Sequence, residues 1–328
     1  MNENRASLRS QATLALKSLA TVTLLCTLVV AAILASAGSV LAQNNHRSIV
    51  YLAGSGNIPL DQHIKSLLES YLEKQMELVL ISDEQPGLAE DAPIVTIGPS
   101  TFSRIREANR QSPVLALLVG QHFLEGVSHD APGSISGIYQ GTPLLQQALI
   151  GKAILPQATR IALVATSSTA ELYEPLIDQL PAHKLEARLF VVDDDKQLIP
   201  TLTRALSYGD FLLAAPDKAI YNPRTIKHIL LTAYRRNRIV IGPSKAYVKA
   251  GALASGYAPL PAMARMATDY LQVFLETSKF PEPAYPSRLQ VEINQQVARS
   301  LNIPLPASEQ IIQVVEQELK SQGGQTNE

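Results

Sequence analysis

The chain has 328 residues, a formal net charge of −1 and 46% hydrophobic residues. That length is enough for one large or two ordinary α/β domains, and a charge so near zero argues against nucleic acid as the main partner. Aromatic residues make up only 5% and tryptophan is absent, which disfavours a lectin-like cleft that stacks sugars on indoles.

At the N-terminus, Arg5, Arg9 and Lys17 precede a stretch beginning at Ser18 whose next charged residue is Arg47. Its centre, Leu24 to Leu34, is almost wholly apolar, and small residues lead into Val40-Leu41-Ala42. A basic head, an apolar middle and small residues at −3 and −1 form a secretory signal, with residues 1–42 removed after Ala42. A membrane anchor over residues 18–42 is the alternative reading, because the uncharged run is long enough to span a bilayer. Cys26 is the single cysteine, and Leu25 before it is too large for a lipoprotein site, so it belongs to the apolar run. The remainder forms no disulfide, and the signal, rather than cysteine usage, points to the periplasm.

From Ser48 onward strand and helix signals alternate. Strands are predicted at 48–52, 77–81, 93–97 and 113–119, and helices at 61–74 and 102–108, the first carried by Ile64, Leu67, Leu68, Tyr71 and Leu72. The pattern restarts after Gly137. Helices are expected at 143–155, 170–180, 197–207 and 225–237, with strands at 160–165, 187–192, 211–215 and 239–241. Continuous apolar strands alternating with helices predict mostly parallel sheets covered on both faces. Two successive units of similar size predict two Rossmann-like lobes. The segment 310–320 predicts a final helix through Ile311, Val314, Val315 and Leu319.

In open α/β sheets a ligand lies at the carboxyl ends of the strands. The loops there contain Ser55 after the first strand, Gly98, Ser100 and Thr101 after the third, and Ser167 and Ser168 after the fifth. Asp217 follows the seventh and Ser244 the eighth. Hydroxyls and amides at helix starts are helix caps in the first instance. The same geometry presents N–H groups to an anion such as a carboxylate.

Several segments carry a resemblance. Ile161-Ala-Leu-Val-Ala-Thr-Ser-Ser168, Asp210-Phe-Leu-Leu-Ala-Ala-Pro-Asp217, Ile239-Val-Ile-Gly-Pro-Ser244 with Val248-Lys-Ala-Gly-Ala-Leu-Ala-Ser255, and Ile293 to Pro306 resemble the second lobe of ABC-transporter substrate-binding proteins related to tryptophan and tyrosine uptake. The resemblance covers Ile135 to Pro306, with a weaker echo at Thr96 to Thr101. The first lobe looks trimmed by one βα unit, and Gly256-Tyr257-Ala258-Pro259 stands where the family shows an acidic and aromatic pair.

The resemblance implies a type I periplasmic-binding fold in which the chain crosses between lobes three times: near Ser136-Gly137-Ile138, near Gly251-Ala252-Leu253 and near Pro281 to Pro286. Lobe 1 is then 43–137 with about 254–282, lobe 2 is 138–253 with about 283–306, and 307–328 is a helical tail. The implied ligand site comprises Ser55, Gly98, Ser100, Thr101, Gln140, Ser167, Ser168, Asp217, Ser244 and Tyr257. Asp217 is the leading candidate to meet an ammonium group, with a cap of the turn beside Pro216 as the alternative. Two function classes follow: a monomeric solute carrier that hands its ligand to an ABC permease, or an extracytoplasmic sensor that reports to a membrane receptor or kinase.

Enzymatic chemistry finds no support. Ser167-Ser168 has no G-x-S-x-G elbow, there is no P-loop or G-x-G-x-x-G, and no cofactor is implied. His122, Glu125, His129 and Asp130 fit no standard zinc spacing. Asp193-Asp194-Asp195 is expected to be a solvated loop. Arg235, Arg236 and Arg238 end a helix, where positive charge complements the dipole or docks a partner.

Overall fold

The computed structural model describes residues 47–73, 76–81, 91–128, 131–215 and 217–323. The expected signal sequence with its cut after Ala42, Cys26, His129, Asp130 and Pro216 lie outside them. Among the described residues no helix is long and apolar enough to cross a membrane.

The described chain folds as two α/β lobes. In lobe 1 a five-stranded parallel sheet, sheet A, has the order β2-β1-β3-β4-β5. Its strands are β1 (Ser48–Ala53), β2 (Met76–Leu80), β3 (Ile94–Ile97), β4 (Val114–Val119) and β5 (Ile135–Tyr139). Helix α1 (Ile58–Tyr71) follows β1, α2 (Pro99–Ala108) follows β3, and α3 (Gln121–Ser128) follows β4. No helix is present among the described residues between β2 and β3, whose connection includes residues 82–90 outside them.

Lobe 2 holds a six-stranded sheet, sheet B, of order β11-β10-β9-β8-β6-β7. Its strands are β6 (Arg160–Ala165), β7 (Glu186–Val191), β8 (Phe211–Leu213), β9 (Ile239–Ile241), β10 (Ala254–Tyr257) and β11 (Gln290–Ile293), only the last antiparallel. The helices in chain order are α4 (Leu144–Ile154), α5 (Glu174–Gln179), α6 (Asp195–Tyr208), α7 (Ile226–Arg235), α8 (Lys245–Ala250), α9 (Leu260–Thr277), α10 (Gln295–Ser300) and α11 (Ser308–Gly323).

Both sheets are covered on both faces, which is why their strands read as unbroken apolar runs. Ile64 and Leu68 of α1 and Met263, Ala267 and Leu271 of α9 pack on one face of sheet A, against Leu52, Val95 and Leu115. Phe102 and Ile105 of α2 and Leu124 of α3 cover the other. On sheet B, α4 and α11 cover one face, with Ile311 and Val315 fully buried. Leu198, Leu202 and Ile229 of α6 and α7 cover the opposite face.

The crossings differ from expectation. Residues 136–138 lie inside β5, paired with residues 115–117 of β4. Gly137 is a glycine because Leu124 and the Ala116 carbonyl crowd it, where a Cβ would meet heavy atoms at 2.6 and 2.7 Å. The chain instead crosses at 140–143 and continues into α4, which packs on sheet B. Gly251 is not a crossing either. It ends α8 with φ +122°, Leu253 N–H donates to the Val240 carbonyl of sheet B, and the chain crosses after Tyr257. The third connection runs along sheet A. Ser136 Oγ donates to the Pro281 carbonyl, Ile138 bridges Ala284 in parallel, and Tyr139 N–H donates to the Ala284 carbonyl.

One side chain completes sheet B where the first two crossings meet. Gly256 lies past the end of β9, so no strand faces its inner edge. The buried Gln147 amide of α4 fills the gap: Nε2 donates to the Gly256 carbonyl at 2.9 Å and Oε1 accepts its N–H at 2.8 Å. Any Cβ at Gly256 would strike Ile150 at 2.7 Å.

Candidate functional site

The first two crossings leave from the carboxyl ends of β5 and β10, and the third re-enters sheet B at Gln290, paired with Tyr257. The links therefore tie the lobes together at the carboxyl edges of both sheets, where ligands lie in such folds. All ten expected site residues fall there. Ser55, Gly98, Ser100, Thr101 and Gln140 stand on the edge of sheet A, and Ser167, Ser168, Asp217, Ser244 and Tyr257 on that of sheet B.

On sheet B most of these groups are engaged within the lobe. Asp217 is buried. Its Oδ2 accepts from Thr166 N–H at 3.0 Å, Thr166 Oγ1 at 3.1 Å and Thr169 Oγ1, while Oδ1 accepts from Ala219 N–H at 2.9 Å and Ile220 N–H at 3.3 Å. Five donors saturate a carboxylate, which has about four lone-pair sites. Burial pushes its pKa up, but these hydrogen bonds outweigh it and hold the carboxyl below its ordinary value. Asp217 thus occupies the capping arrangement.

Asp217 also raises the pKa of Tyr173, although burial is the larger cause there. Ser167 is held by Asp193, whose Oδ1 accepts from its N–H at 2.8 Å and its hydroxyl at 2.9 Å. Ser168 Oγ lies 3.0 Å from Thr166 Oγ1. Tyr257 stacks under Lys245, with Nζ 4.3 Å from the ring centroid, and Lys245 Nζ pairs with Glu292 at 3.4 Å. Ser244 precedes α8 without a side-chain cap bond.

Sheet A is different. Its first loop is closed: Asp61 on α1 accepts Ser55 N–H at 2.9 Å, Ser55 Oγ at 2.7 Å and Gly56 N–H at 3.1 Å. Thr101 Oγ1 ties the neighbouring loop to the Gly54 carbonyl at 3.0 Å. The loop of Gly98 is open. Helix α2 has no acidic residue in its first turn and no side-chain cap. Its first bond runs from Phe102 N–H to the Gly98 carbonyl, which leaves the Ser100 and Thr101 N–H groups without a partner among the described residues. Gly98 itself has φ +83°, and a Cβ there, at Gly120 or at Gly141 would meet no atom within 4 Å. The ends of β3, β4 and β5 thus present bare backbone to open space, with a positive helix end among them.

Three features of this edge carry no sequence signal. Leu118 in β4 has φ +57°, a left-handed conformation that a bulky side chain adopts only at a cost of about 1–3 kcal/mol. It forms a bulge that shifts the β4–β5 register between Leu117 and Val119 and sends Gly120 out at the strand end. Tyr139 and Tyr285 pack with ring centroids 4.8 Å apart. Tyr285 donates to Gln121 Oε1 at 3.2 Å, and its phenol is pushed up to about 12, chiefly by burial, then by Tyr139 and Glu125.

Among the described residues no three of His, Cys, Asp and Glu converge as metal ligands would.

The sheet orders, the three links and the carboxyl-edge loops define the type I periplasmic-binding fold. No family model matches the chain, and no curated protein matches it. Solved structures do. A conserved domain protein from Vibrio cholerae is 18% identical, with a TM-score of 0.55 over 79% of this chain and 96% of that one. An ABC domain from Streptococcus pneumonia in complex with L-Trp is 19% identical, with a TM-score of 0.55 over 79% and 96%. A ligand-free, open substrate-binding protein with adhesive properties from Clostridium difficile is 12% identical, with a TM-score of 0.64 over 80% and 97%. At such identities the likeness is one of fold.

Proposed function

We propose that this chain is the exported solute-binding component of an ABC-type uptake system and closes its two lobes on a small carboxylate-bearing ligand, an amino acid or a relative of one. The observation that carries this reading is the edge of sheet A, where glycine backbone and the uncapped start of α2 leave donors and space together. In two of the loops nearby, Asp61 and Asp193 already occupy the corresponding donors. A ligand carboxylate at Ser100 and Thr101 would do for α2 what those side chains do for their own loops. Asp217 acts in this reading as the brace of the opposing loop, Gln140 and Tyr257 flank the ligand from the first two links, and Ser244 flanks it from the start of α8. The resemblance to solute-binding proteins for tryptophan and tyrosine supports the amino-acid class, and the basic, apolar and small-residue N-terminus supports export.

The test uses Gly120, where a side chain meets nothing in the free protein. Thermal-shift screening of amino acids and small carboxylates should yield at least one stabilising ligand. Gly120→Leu should reduce its affinity at least tenfold, because the side chain enters the ligand's space. Gly126→Leu, equally unobstructed but on the body of α3, should leave affinity unchanged. Equal affinity in Gly120→Leu and wild type would overturn the assignment of the site.

A further inference from the structure

The end of lobe 2 farthest from the carboxyl edge carries a second feature, independent of ligand binding. In a parallel α/β sheet the amino ends of the strands and the carboxyl ends of the helices share one rim. In sheet B that rim holds Arg160 at the start of β6, Arg188 in the first half of β7, Arg235 closing α7, Arg236 just after it, and Arg238 before β9. None of the five forms an ion pair among the described residues.

The segment Leu206 to Asp210 gathers four of them into one patch. Arg238 Nε donates to the Leu206 carbonyl at 3.1 Å, and Arg236 Nη1 reaches within 3.5 Å of Ser207 Oγ. Arg188 and Arg160 lie 4.3 and 5.7 Å from the centroid of Tyr208. Two carboxylates lie at the rim: Asp210 Oδ2 accepts Thr159 and Arg160 N–H, both at 2.9 Å, with Arg160 and Arg238 close enough to help hold its pKa down, and Glu186 Oε1 accepts the Tyr208 hydroxyl at 3.0 Å. Complementing helix carboxyl ends explains Arg235 and Arg236, but Arg160 and Arg188 sit on strands and gain nothing from it.

Two exposed apolar residues on the last turns of α7 adjoin the patch, Leu231 at 42% and Tyr234 at 45% exposure. Arginine and tyrosine around an apolar centre is the composition of protein interfaces. Several of the guanidiniums are held in place beforehand, which lowers the entropy lost on pairing. A polyphosphate has no use for the apolar area, whereas a protein surface does.

We propose that this rim is a docking surface for an acidic protein surface, through Arg235 and Arg236 beside Tyr234. The experiment uses the full chain in its native cells, with a photoreactive benzoylphenylalanine replacing Tyr234. Cross-linking should give one discrete protein adduct, joined at a segment rich in Asp and Glu. Arg235→Glu with Arg236→Glu should cut its yield about tenfold, as should raising the salt from about 0.1 M to about 1 M. Arg235→Gln with Arg236→Gln removes the charge without adding repulsion and should give a smaller loss, and exchanging the partner's carboxylates for lysine should restore the adduct in the Glu variant. The proposal is overturned if no discrete adduct forms, if the adduct is indifferent to these charges, or if it maps to a segment without carboxylates. Sedimentation of the purified protein with phosphatidylglycerol vesicles, lost in the same variants, would also overturn it by making the rim a lipid surface.

Discussion

The carboxyl edges of the two sheets solve the same problem in opposite ways. Both place polar loops at the starts of helices. Sheet B fills the donors of its β6 and β8 loops from within, leaving the start of α8 at Ser244 uncapped: Asp217 and Asp193 bind Thr166, Ser167, Thr169, Ala219 and Ile220. Sheet A leaves the donors of Ser100 and Thr101 open and lines the gap with Gly98, Gly120 and Gly141. A lobe with satisfied loops is stable without a ligand, whereas one with vacant donors gains stability from an anion. The pair thus divides into a rigid jaw and a receptive one.

Substitutions can break this comparison. The largest effect belongs to Asp217→Ala, which strands five donors. Equilibrium urea unfolding should show a loss of about 3 kcal/mol or more. Asp217→Asn keeps one acceptor but turns an amide N–H₂ toward hydroxyls and N–H groups, so it should lose about 1–2 kcal/mol.

Next comes Gln147→Leu, which removes the acceptor of the buried Gly256 N–H and leaves the Gly256 carbonyl only the Ser255 hydroxyl at 3.1 Å, and should destabilise by about 2 kcal/mol. On the receptive jaw the matching change is smaller. Asp61→Ala frees donors that water reaches, and urea unfolding should show only about 1 kcal/mol.

Acid sharpens the contrast further. Asp217 and Asp210 both have folded pKa values below the ordinary one, in each case because hydrogen bonds outweigh burial. A carboxyl with a depressed folded pKa contributes stability that is present above its unfolded pKa, about 4. That stability fades as pH falls through the lower folded value. Wild-type protein should therefore lose stability below about pH 4 more steeply than Asp217→Asn, as acid titration followed by tyrosine fluorescence or circular dichroism would record. The smallest effect is that of Gly120→Leu on the unliganded protein, a Tm change equivalent to less than about 0.5 kcal/mol.

Much of the fold was legible because buried parallel strands are continuous apolar runs. Ile161 to Ala165 and Val114 to Val119 announce themselves. β10 and β11 do not. Ala-Ser-Gly-Tyr is small and polar for a strand, and Gln-Val-Glu-Ile alternates over only four residues. Helix α9 has a clear period at Met263, Ala267, Leu271 and Phe274, and Pro259 and Pro261 stand at its start, where proline belongs, yet the elements predicted from the sequence do not include it.

The locations of the site loops were legible, since they follow from strand ends. Their internal partners were not: Asp217 meets Thr166 across 51 residues and Asp193 meets Ser167 across 26, distances over which a sequence shows no pairing. The bulge at Leu118 left no trace at all, because leucine is the last residue whose presence suggests a left-handed turn.

The Gln147 clasp at Gly256 has a use of its own. A backbone N–H held by a neighbouring strand exchanges with deuterium only when the sheet frays, but this one is held by a side chain from the helix that follows the first crossing. Its exchange rate therefore reports the parting of α4 from the end of β10, separately from the unfolding of either sheet. The Gly256 amide becomes a clock for the joint between the lobes. Its slowing on addition of a ligand would time the joint's motion without any attached chromophore.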